Sequence, residues 1–207
     1  MANVTTPRTR AEQKRHTRAL IVEAGRNGVA TRGFTGLVVR ELAREVGIVP
    51  TAFYRHFESV DDLASELASG AADALGTFID ELISTATDDP ATDDPATDWP
   101  RLASAAATRD PQTWAMLARG LVDTAHPDHR ILAAAVDSAR RRLGITLGRL
   151  ETLSGADDTS IDIAADLVVV VLLRALVEMA DDSDARTTVD ECAGRLRVIL
   201  AGAGAVS

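Results

Sequence analysis

Val38-Val39-Arg40-Glu41-Leu42-Ala43-Arg44-Glu45-Val46-Gly47-Ile48-Val49-Pro50-Thr51-Ala52-Phe53-Tyr54-Arg55-His56-Phe57 is the stretch on which the reading of this chain turns. Val39, Leu42, Ala43 and Val46 recur at i, i+3, i+4 and i+7, the apolar stripe of a short amphipathic helix, and Arg40, Glu41, Arg44 and Glu45 occupy its other face. Gly47 stands where a helix stop needs left-handed backbone, which glycine adopts without a Cβ clash. Pro50 suits the first turn of a second helix, because its missing N–H is unneeded there and its φ is preset. That second helix is predicted to run about two turns, to Phe57. Phe53 and Phe57 lie four residues apart, so both face the core. Thr51, Ala52, Arg55 and His56 are left on other faces, with Tyr54 at the boundary. Two turns of helix are not stable alone and have to be clamped by neighbours. Two helices joined by a turn of three or four residues form the DNA-reading helix-turn-helix.

The residues upstream read as a brace for this unit. Residues 1–9 are expected to be a disordered arm, and a helical pattern starts near Arg10, with Leu20, Ile21, Ala24 and Gly28 on one side and an end near Gly33. Phe34 is placed to plug the small core beneath the motif. Downstream, Ser59 and Asp62 form an S-x-x-D helix start. It opens a long fourth helix over about 60–86, striped by Leu63, Leu67, Ala71, Ala74, Leu75, Phe78, Leu82 and Ile83 and expected to connect the motif to the rest of the chain. Residues 88–97 read Asp-Asp-Pro-Ala-Thr twice, a composition that predicts a surface loop rather than a buried element. Further helices are predicted at about 99–108, 111–122, 127–153, 159–181 and 185–202. The last two are the most apolar. Ile161, Ala164, Ala165, Leu167, Val168, Val171, Leu172, Ala175, Leu176 and Met179 cover much of one, and Val189, Ala193, Leu196, Val198, Ile199 and Leu200 serve the other. A helix apolar over most of its circumference is covered on several sides, and one of those sides fits a second copy of the chain.

Charge sorts along the chain in the same way. Of 207 residues carrying a net charge of −9, residues 1–60 hold ten basic and five acidic side chains, and residues 61–207 hold twelve and twenty-six. A basic module on an acidic body is the footprint of a protein that meets phosphates at one end only. The single Cys192 excludes an internal disulfide framework and fits a reducing compartment. No apolar leader is evident, and Asp166 and Arg174 interrupt the run from Ile163 to Ala180. The expected setting is therefore cytoplasmic, with no membrane partner.

Residues 18–67 resemble the N-terminal domain of TetR-type transcriptional repressors. The residues that carry the resemblance are Ile21-Val22-Glu23-Ala24, Gly33-Phe34, Arg40-Glu41-Leu42-Ala43, Gly47-Ile48, Phe53-Tyr54-Arg55-His56-Phe57 and Asp62-Leu63, in ungapped spacing. The resemblance implies an all-α protein of about nine helices, with a helix-turn-helix domain over 10–58 and a helical ligand-binding and dimerisation domain over 59–207. It implies a homodimer through the last two long helices, a near-palindromic double-stranded operator, and a small, mainly apolar effector that releases the DNA. Arg40, Thr51, Ala52 and Arg55 are then expected at bases or nearby phosphates, with Tyr54 and His56 on the backbone. Arginine bonds bidentately to guanine, and an alanine or threonine methyl meets a thymine methyl. Within the family the stretch from Gly47 to Phe57 is most similar to regulators of fatty-acid metabolism, which hints at an acyl-like effector.

The sequence also departs from the family pattern. Val38 and Val49 stand where hydroxyl residues usually cap the two motif helices, Val60 replaces a common lysine, and Arg26 and Gly28 replace bulky apolar residues. These departures keep a second reading open: a helical ligand-binding or protein-interaction module whose motif no longer reads DNA. Trp99, Trp114, Leu117 and Leu121 are the candidate pocket lining, because ligand cavities in helical bodies are apolar. His126-Pro127-Asp128-His129 has a metal-like spacing but no third ligand cluster, and reads equally well as a helix start. No phosphate loop, nucleophile elbow or Cys/His pair is present, so neither catalysis nor a cofactor is expected.

Overall fold

The structure is a computed structural model, and it describes residues 9–88, 95–150, 153–181 and 185–205. Among these residues every regular element is helical: α1 (Arg10–Arg32), α2 (Val39–Val46), α3 (Pro50–Phe53), α4 (Val60–Asp88), α5 (Pro95–Arg109), α6 (Pro111–Val122), α7 (His129–Leu147), α8 (Asp158–Asp181) and α9 (Ala185–Ala205), plus a 3₁₀ turn at Phe34–Gly36. None of the helices is long and apolar enough to cross a membrane, judged on the described residues.

α1 starts where its sequence provides a cap. Thr9 Oγ1 accepts from the Glu12 N–H at 3.1 Å, and Glu12 returns the bond to the Thr9 N–H at 2.7 Å, a reciprocal capping box. Thr9 is thus part of the helix start, not of an arm; residues 1–8 lie outside the described residues. The helix buries Ile21, Ala24, Gly25, Gly28 and Val29, whereas Leu20 is 40% exposed. The buried stripe is centred on Ile21, Ala24 and Gly28, and a residue one step before Ile21 is rotated by about 100° out of it. Gly33 ends the helix at φ 79°.

α2 follows its pattern. Leu42 and Ala43 are buried, Val39 and Val46 pack against the core, and the four charged residues face solvent. Gly47 takes φ 75° and ψ 31°, and the Ile48 N–H bonds to the Ala43 carbonyl at 2.9 Å. α3 is shorter than predicted. Only Pro50–Phe53 is α-helical. The backbone reaches Phe57 through tight turns, Arg55 N–H to Ala52 O at 3.1 Å and His56 N–H to Phe53 O at 2.9 Å. The Phe57 N–H still bonds to the Phe53 carbonyl at 3.2 Å, and the two rings add to the hold on this segment: Phe53 and Phe57 are buried with centroids 5.6 Å apart.

The Ser59–Asp62 start signal opens α4 as expected, with Ser59 Oγ accepting from the Asp62 N–H at 3.0 Å. α5 begins four residues earlier than predicted, and Pro95 and Ala96 are buried, so the second Asp-Asp-Pro-Ala-Thr copy enters a packed helix after all. Proline at a first helical position needs no N–H partner. The rest of the repeat, residues 89–94, lies outside the described residues. α7 stops at Leu147 rather than near residue 153, and the following turns bring Leu150 and Leu153 back into the core.

α1 packs on α2, α4 and α6; α4 on α7; α8 on α5, α6, α7 and α9. One apolar core runs through the whole chain, from Ile21 and Phe53 to Leu176 and Leu196. On α8, Ala164, Val168, Leu172 and Met179 face inward, while Ile163, Leu167 and Val170 stay exposed.

Candidate nucleic-acid interface and body pocket

The motif presents the side chains that its pattern sets aside. Arg40, Thr51, Tyr54 and Arg55 are exposed, and Ala52 and His56 are half-buried. The Tyr54 and Phe53 rings meet edge to face at 5.5 Å, so the phenol is braced while the residue remains 58% exposed. The acidic residues of α2 are held from α1: Arg32 binds Glu41 at 3.0 Å and Asn27 approaches Glu45 at 3.5 Å. Arg40, Arg44 and Arg55 have no ion-pair partner among the described residues. Their charge is available to an outside anion.

Ala52, Arg55 and His56 line a groove of about 460 Å³ together with Arg10, Gln13, Lys14, Thr17 and Ile48. The α1 contribution was not singled out from the sequence. The signal was there in the recurrence of Arg10, Gln13, Lys14 and Thr17 at helical spacing. Three side chains of fixed positive charge line this groove and no carboxylate does. His56 is kept below the usual imidazole range by burial and then by the neighbouring charges of Lys14, Arg18 and Arg55. Its Nδ1 is buried without a partner among the described residues. Arg18 is not part of the free basic surface. It binds Glu66 through both guanidinium arms and lies 4.6 Å over the Phe57 ring, so it clamps the end of the motif onto α4.

Val38 and Val49 provide no side-chain cap, and they are 47% and 63% exposed. Arg26 and Gly28, the other departures, have structural partners. Arg26 crosses from α1 to Asp110 and Thr113 at the start of α6. Gly28 lets Leu37 approach so closely that an added Cβ would stand 3.0 Å from its Cδ2. The same seam is closed at its other end by Asp123, which accepts from the Thr35 N–H at 3.0 Å. Gln112 donates to Asn27 Oδ1 at 2.6 Å in between. Nothing local in the sequence pairs these residues, because each bond spans more than eighty positions.

In the body, Ala74, Thr77, Phe78, Glu81, Ala106, Arg109, Asp110, Thr113 and Trp114 line a cavity of about 200 Å³ between α4, α5 and α6. Trp114 is the expected lining residue found there, with its indole N–H bonded to the Ala106 carbonyl at 3.0 Å. Trp99 is fully buried and donates to the Leu82 carbonyl at 3.2 Å, Leu117 sits in the core, and Leu121 packs against it. The His126–His129 segment uses most of its polar atoms within the fold, with Asp128 Oδ2 buried and without a hydrogen-bond partner among the described residues. His126 stacks on Phe34 at 5.3 Å and its Nδ1 accepts from the Asp128 N–H, while Asp128 accepts from Ser65 at 2.9 Å.

A short helix, a glycine turn and an outward polar segment braced by a third helix define a helix-turn-helix DNA-binding module carried on a helical body. Residues 21–67 match the profile described as bacterial regulatory proteins, tetR family. A curated relative, an HTH-type transcriptional regulator of Haemophilus influenzae described as uncharacterized, is 48% identical over 63 residues, 30% of this chain and 31% of that protein. The match thus spans about three tenths of the relative's length. A TetR-family transcriptional regulator from Streptomyces coelicolor superposes with a TM-score of 0.69 at 17% identity, covering 92% of this chain and 97% of that one. The regulator FadR from Bacillus subtilis, solved in complex with stearoyl-CoA, superposes with a TM-score of 0.63 at 14% identity over 89% and 98% of the two chains. At these identities the two structures establish a shared fold.

Proposed function

We propose that the chain is a ligand-responsive, DNA-binding transcriptional regulator that acts as a repressor and is released from its operator by a small, mainly apolar effector. The observation that carries this reading is the α2–α3 surface, where Arg40, Arg44 and Arg55 are exposed without ion-pair partners among the described residues, while α1 occupies the neighbouring carboxylates. In this reading residues 10–58 form the reading domain and 59–207 the ligand-binding and dimerisation domain. Arg40, Thr51, Ala52 and Arg55 meet bases or adjacent phosphates, and Tyr54 and His56 hold the backbone. The unpaired arginines weigh against the alternative module that has lost DNA reading.

Two copies join through α8 and α9. The support is an apolar stripe, Ile163, Leu167 and Val170 on α8, left exposed with Val198 of α9. Such a dimer sets two α3 segments about 34 Å apart, in successive major grooves of a near-palindromic site. An effector in the body favours one dimer geometry over the other and so shifts the population away from the DNA-competent spacing. Trp114 and its cavity support the effector site. The acyl hint in α3 concerns the operator more than the ligand, and stearoyl-CoA is a ligand of the neighbour. The relatives are regulators, and catalysis has no part in this reading.

Selection of bound fragments from genomic DNA tests the proposal. Enrichment of a near-palindromic site, with affinity that falls steeply as salt rises, is the expected result. Binding that is absent, or indifferent to salt, refutes it.

A further inference from the structure

The cavity between α4, α5 and α6 has an apolar end and a charged end. Phe78 and Trp114 meet edge to face, 5.7 Å apart, and supply aromatic surface. The charged end carries two carboxylates, Glu81 and Asp110, against one guanidinium, Arg109, which already binds Glu81 at 3.4 Å. Asp110 has its counter-ion from outside the lining. Arg26 of α1 reaches over to it and to Thr113, and the Asp110 side chain is still 46% exposed. Asp110 also caps α6 by accepting from the Thr113 N–H, so the carboxylate cannot turn away from this position without losing the cap.

A carboxylate whose counter-ion comes from outside the lining, and two aromatic rings beside it, suit a positively charged ligand. Aromatic rings attract cations through their quadrupole, and a planar cation with two N–H groups on one edge pairs with a carboxylate through two parallel bonds. The cavity has room for one ring-sized body rather than a long chain. We propose that it binds a small, flat organic cation, mainly apolar in surface with one charged edge, which takes Asp110 over from Arg26. Burial pushes the Asp110 carboxyl upward, but its bonds to Arg26 and Thr113 hold it below the usual carboxylate range, so it is ionised when such a ligand arrives. Replacing Arg26 frees α1 from α6 at one end of the seam. This consequence rests on the regulator reading above; the binding itself does not.

Benzamidine is the probe, with neutral benzamide and anionic benzoate as isosteric controls. Titration of the full chain is followed by tryptophan emission, with no DNA present, so a failure of DNA binding leaves the test intact. Benzamidine is expected to saturate with an affinity at least tenfold above both controls. Asp110→Asn keeps a capping side chain and should abolish that preference, whereas Arg26→Gln removes the rival cation and should tighten benzamidine severalfold. Equal affinities, a preference for benzoate, no saturable binding, or weaker benzamidine binding by Arg26→Gln would overturn the proposal. If Arg26→Gln does not fold, as judged by its melting curve, the wild-type ranking and Asp110→Asn decide.

Discussion

α1 serves two regions that differ in almost every physical respect. Its first turns border the groove beside α3, where Arg10 and Lys14 stand with Arg55 and His56 and where cations outnumber carboxylates. Its last turns lie against α6, where Arg26, Asn27 and the turn after Gly33 meet Asp110, Gln112 and Asp123. In the groove the charged groups Arg10, Lys14 and Arg55 are exposed and are left for an outside partner. Along the seam each is already paired. A surface meant to receive phosphates keeps its charges unspent, and a surface meant to transmit position spends them internally.

The contrast is broken most severely by removing the ring that supports the reading surface. Phe53 is 0% exposed and touches both Tyr54 and Phe57. Phe53→Ala should cost about 3–5 kcal/mol, seen in urea unfolding, because α3 has only four helical residues and no side-chain cap. A loss below about 1 kcal/mol would mean that turn bonding, not ring packing, orders the segment. On the seam the corresponding change is an addition. A Cβ on Gly120 would stand 2.5 Å from Leu132 Cδ1 and 2.6 Å from Phe34 Cε2. Gly120→Val should cost about 1–3 kcal/mol through overpacking, with a lowered melting temperature as the readout.

Within the reading surface two neighbours should separate by role. Arg55→Ala is expected to lose about 1–3 kcal/mol at one operator position and to relax preference there. Tyr54→Phe should weaken all sites alike, by about 1 kcal/mol for a lost hydroxyl bond. Binding measured across a library of single-base operator variants distinguishes the two patterns. The reverse assignment would place Tyr54 at the bases.

The reading head was legible because its causes are local. Gly47, the spacing of Leu42, Ala43 and Val46, and the Phe53–Phe57 pair each act within one or two turns, and the structure places them as their pattern implies. The length of α3 was not legible, because the backbone tightens to three-residue turns after Phe53 while the buried Phe53 and Phe57 rings fix where the segment lies. Arg26 and Gly28 looked like defects in α1 until Asp110 and Leu37 supplied their partners. Trp99 and Trp114 are indistinguishable in sequence as large apolar residues. Only the fold shows that one is sealed in the core and the other borders a cavity.

A pH titration sharpens the electrostatic half of the contrast. The folded state holds His56 below its unfolded value, first by burial and then through Lys14, Arg18 and Arg55. The unfolded chain therefore takes up the proton first. Stability from this group is fully present above the unfolded value near 6.5 and is lost as pH falls toward the folded one. His56→Gln should flatten that part of the acid limb in melting temperatures taken from pH 7 to pH 5. An unchanged slope would show that phosphate-free His56 is not strained by its cationic neighbours.

The smallest effect comes from restoring what α3 lacks. Val49 occupies the N-cap with extended backbone, φ −75° and ψ 145°, and exposes 63% of its surface. Its isopropyl group therefore contributes little packing, and the first N–H groups of α3 lack a side-chain acceptor. Val49→Ser places a hydroxyl at a position whose backbone already suits a cap, and should stabilise the chain by about 0.5–1 kcal/mol. The sign matters more than the size. If the reading segment is ordered by Phe53, Phe57 and the Arg18 clamp alone, the added cap should raise the melting temperature and leave DNA affinity unchanged. If partial fraying of α3 limits binding, affinity should rise in step with stability, as a population shift requires. An affinity that falls while stability rises would instead give the valine a contact of its own with the DNA.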